Sequence, residues 1–114
     1  MLTWDDVERI AASIPTLQFV AGPPRSWNGP HKTAAWQRPL SKKDMAALGE
    51  SAPKGDVLAI HTEDVPTKLA WIQTEPATCF NSPHFSSYPA VLVNLDTADE
   101  RVVFELLADA ADLP

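Results

Sequence analysis

Residues 79–96 read Cys-Phe-Asn-Ser-Pro-His-Phe-Ser-Ser-Tyr-Pro-Ala-Val-Leu-Val-Asn-Leu-Asp. Ala90 to Leu95 is the best strand in the chain, with Val91, Leu92 and Val93 in succession. Before it, Pro83 and Pro89 bracket a tight loop that holds His84, Phe85 and Tyr88. After it, Asp96-Thr97-Ala98-Asp99-Glu100 turns the chain into a last helix, with Thr97 and Glu100 spaced as a capping box. Val102, Val103, Leu106, Leu107 and Ala110 share one side of that helix, and Glu105, Asp109 and Asp112 the other.

Upstream, Asp56 to His61 is a second apolar strand, continuous enough to suggest a central place in a sheet. Between the two strands, Thr62 to Thr74 reads as a helix with Pro66 in its first turn and Val65, Leu69 and Ile72 as its buried stripe. Thr78 to Phe80 is a short strand leading into the loop.

The first helix has Thr3 as N-cap and Asp6 three residues on. Leu2 and Val7 stand at staple positions, Val7, Ile10, Ala11 and Ile14 form one buried face, and Pro15 stops it. Ser41 and Asp44 repeat the device for a second helix, with Leu40 and Met45 as staple, Met45 and Leu48 inward, and Gly49 as terminator. Between these helices, Leu17, Phe19 and Ala21 alternate as a short strand, and Asn28-Gly29 marks a turn before a returning strand at Thr33–Gln37. Gly22-Pro23-Pro24 and Pro30 make that hairpin irregular or place it at an edge. The element order predicts a single α+β domain over residues 1–114, two-layered, with helices packed on a largely antiparallel sheet.

Composition narrows the function. At 114 residues and 45% hydrophobic content, the chain is long enough to bury roughly two thirds of its unfolded surface. One cysteine, Cys79, excludes an internal disulfide, and its apolar setting reads as a buried, inert thiol rather than a nucleophile for His84. His31, His61 and His84 lack the spacing of metal ligands, so no metal and no cofactor are expected. No phosphate loop or nucleophile elbow is present, and the expectation is a protein that is not an enzyme. Neither a secretory signal nor a membrane-length apolar run is visible, which predicts a cytoplasmic protein.

The net charge of −6 argues against a partner bound mainly through phosphates, but the charge is uneven. Residues 25–54 carry a net +4, whereas residues 55–114 carry a net −8. Arg25, Lys32, Arg38, Lys42 and Lys43, with Trp27 among them, would make a stacking and phosphate-binding patch if they shared a face. The bland reading is a mixed solvated surface with tryptophans covering the core. A second candidate surface is an exposed aromatic patch of Trp27, Trp36, Phe85 and Tyr88 that would dock a protein. His84 is either a ligand or acid–base group of a loop pocket, or a loop histidine that bonds nearby backbone and fixes the turn; the second is the commoner role.

The run Phe80-Asn81-Ser82-Pro83-His84-Phe85, followed by Tyr88-Pro89 and the apolar strand, resembles the MmcQ/YjbR-like family. Thr3-Trp4-Asp5-Asp6-Val7, Pro15 and Ala34-Ala35-Trp36 extend the resemblance along nearly the whole chain. It implies a secretion-chaperone-like α+β fold, in which hairpins described as a double wing have led members to be called DNA-binding proteins. Here the wing region departs from the pattern through its prolines. The resemblance leaves Pro83, His84, Phe85, Tyr88 and Pro89 as a loop motif of unassigned role and makes DNA the expected partner, with a protein on the aromatic patch as the alternative.

Overall fold

The computed structural model describes all 114 residues. Its elements are α1 (Trp4–Ala12), β1 (Gln18–Val20), β2 (Ser26–Asn28), β3 (Thr33–Gln37), α2 (Lys42–Leu48), β4 (Val57–His61), α3 (Val65–Thr74), β5 (Cys79–Phe80), β6 (Ala90–Asn94) and α4 (Glu100–Ala111). Short 3₁₀ turns follow α2 at Gly49–Ser51 and interrupt the β5–β6 loop at Pro83–Phe85. The six strands form one sheet in the order β1-β2-β3-β4-β6-β5, every neighbouring pair antiparallel. This is the expected α+β architecture, and β4 is indeed central. No helix is long and apolar enough to cross a membrane.

Strand alternation divides the sheet into two unlike faces. Leu58 and Ile60 of β4 and Val91 and Val93 of β6 point to the side covered by helices, where they join Val7, Ile10, Val102, Val103, Leu106 and Leu107 in the main core. Each such side chain contributes about 1.5–3 kcal/mol by leaving water. Val57, Ala59 and Leu92 point the other way, into a small second cluster with Trp36, Leu40, Phe80 and Phe85. The loop of residues 81–89 thus covers part of the second face, while the β1-β2-β3 end stays open: Gln18 and Val20 are exposed and Ser26 and Trp36 half-buried.

Both N-terminal capping boxes form as read. Thr3 and Asp6 cap α1, and Ser41 and Asp44 cap α2, each with side chain and backbone bonded in both directions. Gly49 ends α2 at φ +58°, a conformation that glycine adopts freely. Four details differ from expectation. Helix α3 starts at Val65 with Asp64 as its cap, because Asp64 Oδ1 takes the Thr67 N–H. Its inward residue is Lys68, while Leu69 is 50% exposed. Asp99, not Thr97, caps α4; the Thr97 hydroxyl instead donates to the Ala77 carbonyl, tying β5 to the start of the helix. Met45 turns outward, and the side chain that α2 buries is Asp44.

Candidate functional site

The β2–β3 pairing decides which aromatic residues reach the surface. Trp27 stands opposite Ala35, and Ser26 opposite Trp36, with a register shift beside Trp27. Residues paired across strands share a face, so the two tryptophans lie on opposite sides of the sheet. Trp27 is 1% exposed under α1, 6.4 Å from Trp4 and 5.3 Å from Phe19 between ring centres. It belongs to the core, which removes it from both the nucleic-acid patch and the aromatic patch.

Trp36 stays on the open side at the centre of a ring cluster. His61 lies 4.8 Å from it, and Phe85 and Tyr88 each 6.3 Å, all between ring centres. Tyr88 in turn contacts Phe85 at 5.1 Å and His61 at 5.6 Å. His61 enters because β4 places Val57, Ala59 and His61 on one face, a consequence of its two-residue period. In the sequence, the only signal for His61 is its place at the end of a central strand.

The loop that brings Phe85 and Tyr88 here is held from beneath. Lys68 has no exposed surface, and its Nζ donates to the carbonyls of Phe85 and, at 2.9 Å, of Tyr88. It also sits 5.0 Å from the Phe85 ring centre. No carboxylate pairs with it, and burial pushes its ammonium down to about 8. His84 does not fix the turn by bonding nearby backbone: its ring is exposed and makes no hydrogen bond within the chain. Lys68, not His84, fixes this turn. Pro83 is likewise exposed and Pro89 half-buried, so of the loop motif only Phe85 and Tyr88 join the cluster.

The basic residues separate into groups. Arg25 turns to α1, 5.5 Å over the Trp4 ring and 3.7 Å from Glu8, away from the open face. Lys32 and Arg38 flank β3 at its two ends, about 20 Å apart along an extended strand. Arg38 lies 4.7 Å over the Phe85 ring and 3.2 Å from Asp44 Oδ2. Lys32 and His61 line the same cleft beside the sheet end. Lys42 and Lys43 are exposed in the first turn of α2 and, like Lys32, make no ion pair. The basic segment therefore forms no single face. Its two members at the ends of β3 bracket the ring cluster.

Hydrogen bonds set the chemistry of the cluster. His61 Nδ1 meets the Thr33 carbonyl, and Nε2 lies 3.0 Å from the Tyr88 hydroxyl. Burial holds the imidazole below its ordinary pKa and Lys32 adds to this, against the opposing Thr33 bond. Asp44 is fully enclosed; burial alone would raise its carboxyl, but the Ser41 backbone and hydroxyl and Arg38 outweigh that and draw it down to about 2. Cys79 is 1% exposed, and burial with the nearby Glu75 carboxylate pushes its thiol up to about 12. That is the inert thiol expected.

Next to the cluster is a cleft of about 500 Å³ between the end of β4, α3 and the last turn of α4. Trp71, Leu106 and Thr67 line it along with Lys32 and His61, and Asp109 stands at its rim. Burial, Glu105 and Asp112 raise the Asp109 carboxyl above its ordinary value. No group of three or more histidine, cysteine or acidic residues is placed to hold a metal ion.

No family model matches the chain, and no solved structure matches it. Among curated proteins, it is 42% identical over 113 residues to the "Uncharacterized protein Rv2570" of Mycobacterium tuberculosis strain H37Rv, a match that spans 96% of this chain and 86% of the relative. The "Uncharacterized protein MT2646" of M. tuberculosis strain CDC 1551 and the "Uncharacterized protein Mb2600" of Mycobacterium bovis match to the same extent. With that identity sustained over nearly its whole length, the chain belongs to the family of these mycobacterial proteins.

Proposed function

We propose that the protein binds single-stranded nucleic acid, without catalysing a reaction, through the open sheet face around Trp36. One observation carries this reading: the Trp36–His61–Phe85–Tyr88 ring cluster lies between Lys32 and Arg38 at the two ends of one strand. Each base stacked on an aromatic ring is worth about 1–3 kcal/mol, and a single strand leaves its base faces free for that contact. Lys32, Lys42 and Lys43, unpaired within the chain, supply phosphate contacts. The net charge of −6 keeps the affinity modest, because only this patch is locally favourable. The buried Cys79 thiol and the fully bonded His61 ring support a binding role over a catalytic one. The MmcQ/YjbR-like resemblance of residues 80–93 points in the same direction, and a cytoplasmic setting suits it.

The test is a titration of tryptophan fluorescence with a short single-stranded oligonucleotide at increasing salt. Lys32, Lys42 and Lys43 give a log–log salt slope of about −2, which falls to about zero when the three lysines become glutamine, because Arg38 is already neutralised by Asp44. Trp36→Ala weakens binding at every salt concentration. Absence of binding at low salt sinks the proposal. A protein partner is the second reading, favoured by the Asp44 carboxylate that neutralises Arg38 beside the rings; binding to the rings that does not change with salt would select it.

A further inference from the structure

The hydrogen bonds through His61 decide what the Tyr88 hydroxyl can offer a ligand. A carbonyl oxygen only accepts, so the Thr33 carbonyl places the imidazole proton on Nδ1. In the neutral ring Nε2 is then a bare acceptor, and the Tyr88 O–H, 3.0 Å away, donates to it. A phenol has one proton. With that proton committed inward, the exposed Tyr88 presents only oxygen lone pairs outward.

Charged groups around the ring bear on which form persists. Lys32 from the β2–β3 loop disfavours the imidazolium. Glu63, Asp109 and Asp112 line the same cleft as His61, and Lys68 and Arg38 lie against Phe85. With half-burial added, the neutral ring prevails at neutral pH and above.

We infer that Tyr88 makes the patch selective for bases carrying an exocyclic amino group, and for cytosine over thymine among pyrimidines. The inference rests on the nucleic-acid reading and specifies its ligand. Cytosine N4 is a donor that the Tyr88 oxygen accepts, whereas thymine sets the O4 carbonyl at the same place, oxygen against oxygen. The two bases stack on Trp36 over similar areas, so the hydroxyl contact is the main difference between them.

The experiment compares oligo(dC) and oligo(dT) of one length, at low salt and about pH 8, where cytosine and His61 are both neutral. The expected result is about fivefold tighter binding of oligo(dC), the factor that one neutral hydrogen bond supplies. Tyr88→Phe keeps the ring and removes the hydroxyl; both oligonucleotides still bind and the ratio falls to about one. Equal affinities in the unmodified protein, or a ratio that survives Tyr88→Phe, overturn the inference and leave single-strand binding standing. Failure of both oligonucleotides to bind overturns both. Independently, ¹⁵N resonances of the His61 ring should show the proton on Nδ1; a proton on Nε2 alone refutes the mechanism.

Discussion

Asp44→Asn isolates the charge that joins α2 to the ring cluster. Asp44 Oδ2 accepts from the Ser41 N–H at 3.1 Å and from Arg38 Nη1 at 3.2 Å, and the residue has no exposed surface. Asparagine preserves the size and an oxygen acceptor for Ser41, and its amide nitrogen takes the place of Oδ1, a buried atom with no hydrogen-bond partner, so the lost charge is read from the pH-dependent part of the change. A carboxyl held at about 2 instead of 3.8 amounts to about 2 kcal/mol of stability linked to its ionisation. Urea denaturation should therefore find the variant less stable by about 2 kcal/mol at neutral pH, a midpoint lower by roughly 1–2 M. The sign with pH is determined. The folded-state pKa lies below the unfolded one, so the contribution is complete above the unfolded value and is lost as pH falls from 3.8 toward about 2. The stability gap between the two proteins should close over that interval. A gap equally wide at pH about 7 and about 2.5 would refute the argument, since it would mean that packing rather than charge had been lost. A neutral-pH gap below about 0.5 kcal/mol, the range of ordinary surface changes, would refute it as well.

Two further outcomes follow from burial. Trp27→Ala should cost about 3–5 kcal/mol in chemical denaturation, as large aromatic truncations in cores do, and should leave oligonucleotide affinity per folded molecule unchanged. A clear loss of affinity would return Trp27 to the binding surface. The Cys79 thiol, with its pKa at about 12, should react with a disulfide reagent at neutral pH only in step with unfolding; fast labelling of the folded protein would contradict its enclosure.

What could be read in advance depended on how local the determining interaction was. Both capping boxes lie within four consecutive residues, so Thr3 with Asp6 and Ser41 with Asp44 were legible from spacing alone. The buried stripe of α4 and the strands β4 and β6 were legible for the same reason, since period and apolar run length are properties of the segment itself. Thr97 misled because its hydroxyl had a nonlocal acceptor, the Ala77 carbonyl twenty positions away. Lys68 misled because a lysine on a helix is normally solvated, and only the carbonyls of the folded 81–89 loop give its ammonium a buried place.

By itself, then, the sequence determined the α+β class, the positions of the four helices, the two central strands and the inert setting of Cys79, because each follows from short-range periodicity, capping or composition. Only the tertiary structure decided the site. The β2–β3 register sent Trp27 into the core and Trp36 to the open face. The return of β6 beside β4 carried Phe85 and Tyr88 onto Trp36 and His61. The length of β3 set Lys32 and Arg38 at opposite ends of the rings instead of in one basic cluster. Pairing register and loop return bring together residues far apart in the chain, and a one-residue slip reverses every side chain between the faces, so no local pattern encodes them.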